Sequence, residues 1–259
     1  MRGHAGEPTH VAVLATLGAA QRARLRRRRR RPAPAAPQPP PTPVATARAT
    51  LIAARPFDDE AGAERWLARA DAEAEVAGAV AVLNRMLHLH RTATADPGVR
   101  EVARGQALVA RVGIGAGEQV AEGRWTRGLE VPPPRPPRRS AALRPDERLA
   151  ALLAGRDAAL ACEELTVRAR ADLDAGRHRE AALQLGIALE AALRELAPWA
   201  PRAGLHVRLD ELRALRPGVE AAAAAALEGG LNDDDAAAVA HALGRLEAAL
   251  RARSAVGAD

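Results

Sequence analysis

The stretch DAGRHREAALQLGIALEAAL, residues 174–193, decides the fold class. Within it Leu185, Leu189 and Leu193 recur at steps of four, and Leu196 follows three residues later. That spacing puts them on one side of a helix. Pro198 stops the run, and Gly176 marks a turn at its start. On the other side of the glycine, Cys162, Leu165, Ala169 and Leu173 form a second stripe. Two amphipathic helices joined by a short turn pack antiparallel. Further on, LNDDDAAAVAHALGRLEAALRAR (231–253) opens with Asn232 as a cap and three Asp in the first turn. Val239, Leu243, Leu246 and Leu250 give it an apolar face, and Arg251 and Arg253 complement the dipole at its far end. Between the two regions, LHVRLDELRALRPG precedes an alanine-rich helix expected over 219–228, with Pro217 and Gly218 as the break. Residues 146–254 are therefore expected to form an antiparallel helical bundle, with 255–259 as a disordered tail.

Upstream, 131–145 reads as a Pro/Arg-rich linker and 45–130 as a small α+β or helical domain. ATARATLIAARPF supplies a short strand, and Asp58, Asp59 and Glu60 supply carboxylates at the start of a helix. Val76, Val80, Leu83 and Leu87 share one helical face that ends at Asp96-Pro97-Gly98. A shorter helix is expected in VREVARG, then a strand in ALVARVGI. The fold class is thus mainly α: a small α+β N-terminal unit with two short strands and two or three helices, plus the C-terminal bundle.

All 38 basic residues are Arg; Lys and Tyr are absent, and Phe57 is the sole Phe. This composition points to a GC-rich genome and to cores built from Ala and Leu, which bury little apolar area per residue. The formal net charge of +6 is unevenly spread. Residues 1–48 hold ten Arg against one acid, and 146–259 hold fourteen Arg against nineteen acids. Residues 1–44 are expected to be a disordered Arg/Pro-rich arm, with Arg26, Arg27, Arg28, Arg29, Arg30 and Arg31 consecutive and a proline-rich run behind them. Those six guanidinium groups suit weak, salt-dependent contact with nucleic acid phosphates. No aromatic is interleaved to stack on bases. The same run is also what GC-driven low complexity produces. HVAVLATLGAAQ is about half the length of a membrane span. No membrane association is expected, and the location expected is cytoplasmic.

The 174–193 stretch resembles the turn and second helix of a tetratricopeptide-like hairpin: Gly176 in the turn, Glu180 and Ala181 opening the helix, Ala188 and Leu189 further along. It is also similar to the first helix pair of HEPN-type bundles. The likeness spans about twenty residues, has no second copy at the repeat period, and implies a helical hairpin. The whole chain resembles a family of high-GC bacteria, which implies no activity. HEPN-type ribonucleases carry an Arg followed four to six residues later by a His. Arg85 and His90 match that spacing, but they lie outside the hairpin region. His241, in the final helix, has no such Arg before it.

Other chemistry finds little footing. One cysteine, Cys162, permits no internal disulfide or Cys-based zinc knuckle and reads as a small buried hydrophobe. On a helix His88 and His90 point about 200° apart; His90 continues the Val80–Leu87 stripe and His88 lies on the polar side. RVGIGAGEQVAEGRW (111–125) places Gly113, Gly115 and Gly117 at alternate positions. A dinucleotide fingerprint would need glycine where Glu118 or Val120 stands, and a P-loop needs a lysine. The glycines read instead as a strand-to-helix turn that lets Trp125 cover the small domain. No catalytic residue, cofactor or metal site is assigned. The expectation is a non-enzymatic helical interaction protein. Its C-terminal helices would dock a protein partner or pair as a homodimer, and its arm would tether nucleic acid. The alternative is a HEPN-like nucleic-acid-processing enzyme with a degenerate site.

Overall fold

The computed structural model describes residues 9–18, 44–134, 145–201 and 204–256. The chain divides into two compact units, Met1–Pro134 and Arg135–Asp259. It is mainly helical, with a small α+β unit first and a helical bundle second.

Among the described residues the first unit holds four strands, where two are expected, in two separate antiparallel pairs. Strand β1 (His10–Leu17) pairs with β2 (Thr46–Ala53), from His10 opposite Ala53 to Leu17 opposite Thr46. This replaces the front of the expected arm with structure. HVAVLATL has no acid, no arginine and no proline, so nothing in it opposes pairing with β2, whose one charge is Arg48. The run Arg26–Arg31 lies outside the described residues. It belongs to a connection whose two ends meet at one end of a ribbon.

Two helices follow. In α1 (Glu60–Arg69) the Asp59 carboxylate accepts the Gly62 amide at the N-terminus. In α2 (Ala72–Thr94) Asp71 does the same for Glu73 and Ala74. Ala63, Leu67 and Val76 from these helices meet Val112, Ile114 and Val131 from the second sheet in a small core. That sheet pairs β3 (Ala110–Ile114) with β4 (Arg127–Val131). The sequence pattern does not announce strand β4, because Leu129 and its polar neighbours face solvent and only Val131 is buried. The helix expected in VREVARG does not form; only Arg104–Gln106 makes a 3-10 turn. Asn84 holds Val102 extended instead, accepting its N–H at 2.8 Å and donating to its carbonyl at 2.9 Å.

The second unit contains α3 (Pro145–Leu153), α4 (Ala161–Asp174), α5 (His178–Glu195), α6 (Leu205–Glu228) and α7 (Asp233–Val256). Helices α4 to α7 share one core, filled by Leu185, Leu189, Leu196, Leu209, Leu212, Leu243 and Leu246 together with many alanines. Gly176 adopts φ +73° in the α4–α5 turn, a conformation that suits glycine. Behind it the buried Asp172 accepts from Arg177 Nε at 2.6 Å and from Gln184 Nε2 at 3.1 Å, fastening the hairpin. Asn232 caps α7 by accepting the Asp235 amide at 2.8 Å.

The break expected at Pro217-Gly218 is absent, and α6 runs through it as one helix. Leu212 before the proline and Val219 after it are both buried in the common core. Arg216 fixes the exposed side, reaching Glu190 of α5 at 2.6 Å and Glu220 at 3.0 Å. Tertiary packing here outweighs the hydrogen bond that proline removes.

Candidate functional site

Among the described residues, a dense polar centre surrounds Arg253. Its position in the last turn of α7 suggests only a partner for the helix dipole, yet its side chain turns inward and is 7% exposed. Arg253 Nη2 donates to Asp157 Oδ1 at 2.8 Å, and Nη1 donates to Glu163 Oε1 at 3.1 Å. Trp199 lies beneath the guanidinium, 4.9 Å from its carbon to the ring centroid. Arg148 of α3 binds the same two carboxylates, through Nε to Asp157 at 3.4 Å and Nη2 to Glu163 at 2.6 Å. Glu163 also accepts the Leu160 amide at 3.0 Å, and Asp157 accepts the Ala158 amide at 2.8 Å.

Beside this centre, Glu195 from the end of α5 accepts the amides of Ala161 and Cys162 at 3.3 and 2.9 Å. A carboxylate distant in sequence thereby caps α4 and offsets the positive end of its dipole. Burial pulls the Glu195 and Asp157 pKa values upward. The amide hydrogen bonds and nearby guanidinium groups outweigh it and hold both below the ordinary carboxylate range. Cys162 goes the other way: burial, together with the Glu195 carboxylate, pushes its thiol up to about 12. A thiol so placed stays protonated at neutral pH and packs as an apolar group. The centre joins α3, α4, α5 and α7 electrostatically, each carboxylate facing a cation or a backbone donor.

A shallow depression of about 420 Å³ lies between α6 and α7, lined by Glu211, Ala214, Leu215, His241 and Arg245. Arg245 Nε donates to Glu211 Oε2 at 3.1 Å, so these two charges answer each other and leave the exposed imidazole beside an apolar floor. No sequence motif marks this juxtaposition, since the residues come from two helices.

In the first unit the two histidines on α2 exchange the roles expected of them. His88 is half-buried, with Nδ1 3.9 Å from Glu101 and 3.2 Å from Arg91 Nη2, whereas His90 is exposed. The Asn84 clamp explains the reversal: it draws residues 101–102 over the side of α2 that carries His88. Arg85 and His90 are both exposed and about 140° apart around the helix, so α2 does not bring them together. Among the described residues no three His, Cys, Asp or Glu side chains gather into a group able to hold a metal ion.

The glycine-rich segment closes on itself. A Cβ at Gly113 would lie 2.4 Å from Trp125 Cε3, and one at Gly128, its cross-strand partner, 3.0 Å from the same atom. The indole covers the hairpin where the two strands have no side chains, and its Nε1 donates to the Val120 carbonyl at 3.4 Å. Gly117 takes φ +76° and leads into a 3-10 turn, Glu118–Glu122, in place of the expected helix. Comparison of the chain with protein-family models, with curated proteins and with solved structures finds no match. Among the described residues no helix is long and apolar enough to cross a membrane.

Proposed function

We propose that the chain is a non-enzymatic interaction protein whose C-terminal bundle docks another protein or a second copy of itself, while Arg26–Arg31 add salt-dependent contact with nucleic acid. One contrast within the bundle carries this reading. Arg253, Asp157 and Glu163 are engaged with one another, whereas Val167 of α4, Ile187 of α5 and Leu227 of α6 stand well over half exposed. Large apolar side chains kept in solvent supply association energy when a partner covers them. The arm's contribution rests on six adjacent guanidinium groups in a segment with almost no acid.

The test uses the full chain. Sedimentation across a wide concentration range is expected to show reversible association, or affinity capture to retain one partner at fixed stoichiometry, and Ile187→Arg to weaken either. A monomer at every concentration with no stoichiometric partner overturns the docking reading. Filter binding to duplex DNA is expected to weaken steeply with salt. Replacing Arg26–Arg31 with Ala should flatten that slope by up to about five units, near 0.9 for each phosphate no longer neutralised. An unchanged slope removes the arm's role.

A further inference from the structure

Helix α3 differs from the other helices of its unit in how it is held. It carries Leu149, Leu152 and Leu153, and none of them joins the apolar core shared by α4–α7. Leu149 is 55% exposed and Leu153 80%. Nine residues are too few for a helix to persist alone in water. Arg148 ties it to the bundle through ion pairs with Asp157 and Glu163 in the centre described above. That receptor is preformed, because Arg253 and the amides of Ala158 and Leu160 fix both carboxylates independently of α3. The helix also directly follows the proline-rich joint between the two units.

We propose that α3 is a releasable segment of the joint, latched to the bundle by Arg148 on a carboxylate pair that Arg253 holds in position. Latched, it spans about 14 Å at 1.5 Å per residue. Released and extended, the same nine residues reach about 30 Å. Breaking the two ion pairs thus frees α3 to extend and leaves the shared core of α4–α7 intact. Ionic strength and binding of a polyanion to Arg148 both act on the latch, since each competes for the same guanidinium.

Hydrogen exchange read by mass spectrometry on the full chain tests this. In the wild type at low salt, amides of residues 148–157 are expected to be protected. Arg148→Ala is expected to speed their exchange at least tenfold while the slow amides of α4–α7 stay unchanged, and high salt to move the wild type towards the variant. The double substitution Leu149→Ala with Leu153→Ala should leave the protection within about twofold, because those side chains pack on nothing in the core. The proposal fails if α3 is unprotected in the wild type, if Arg148→Ala leaves its exchange unchanged, or if that substitution speeds α4–α7 equally. It fails too if the leucine variant matches Arg148→Ala.

Discussion

Trp125 shows how one side chain explains the residues around it. Its ring occupies the space that side chains at Gly113 and Gly128 would fill, so glycine on both strands follows from packing, without recourse to a bound phosphate. Gly113→Ala is therefore expected to displace the indole and the hairpin, costing about 1–3 kcal/mol as an overpacked site does. Faster exchange of the Ala110–Val131 amides and a red shift of Trp125 fluorescence are the readouts. Gly78, where an added Cβ meets nothing within 4 Å, is the control and should tolerate alanine. The turn at these glycines is legible in the sequence. So is the return of Trp125 over the small domain; what the spacing does not show is that Gly128 stands opposite Gly113 beneath the ring, because strand β4 carries no pattern.

At the scale of elements, legibility follows the contrast between residue types. The hairpin of α4 and α5 stands out because Leu and Cys alternate with Arg and Glu, and α7 because Asn232 and three Asp announce its start. The alanine block of α6 carries no such contrast: Ala222 and Ala226 are buried, Ala221 and Ala224 exposed, and the letters are the same. Proline reads there as a breaker because local propensity is all that a sequence displays; buried Leu212 and Val219 on either side decide otherwise. Pro217 and Gly218 are both exposed, and a Cβ at 218 meets nothing. Pro217→Ala is expected to stabilise the second unit by about 1–3 kcal/mol and Gly218→Ala by about 0.5–1 kcal/mol. Both would be read as higher urea midpoints. A lowered midpoint for Pro217→Ala would mean that the packing of α6 depends on the bend that proline imposes.

For the whole molecule, unequal cores imply unequal stability. Among the described residues the first unit buries Ala63, Leu67, Val76, Val112, Ile114 and Val131, whereas the bundle buries a leucine-rich set more than three times as numerous. Denaturant is expected to melt the first unit before the second, giving two transitions by hydrogen exchange. The bundle should also be sensitive to acid. Asp157 and Glu195 have folded pKa values below the ordinary carboxylate range, so their stabilisation is present above about pH 4 and declines as pH falls through that range. Arg253→Leu is expected to cost about 1–3 kcal/mol at neutral pH, because it removes one of the two guanidinium groups on Asp157 and Glu163 and leaves Arg148 and the Ala158 and Leu160 amides as their remaining partners. The loss should shrink in acid, because the Arg253 charge helps hold the Asp157 carboxyl low and that contribution disappears as Asp157 protonates; a pH-independent loss would point to packing alone. The Arg253 centre is the least legible part of the chain. Its members lie in the α3–α4 connection, α4, the end of α5 and the end of α7, and only folding brings them within reach.

The pairing of Leu17 with Thr46 alters what the arginine run is in covalent terms. A basic segment that reads as a free end connects two strands that pair with each other. A single peptide-bond cut within residues 19–43 therefore releases no fragment while the strands stay paired: the nicked protein gains only the water of hydrolysis, and two pieces separate only on denaturation. Conversely, the arginines cannot be trimmed away by starting the chain near Val44. Such a truncation also removes β1 and strands β2 without its partner, so the charge must be removed by substitution or by shortening the loop from within.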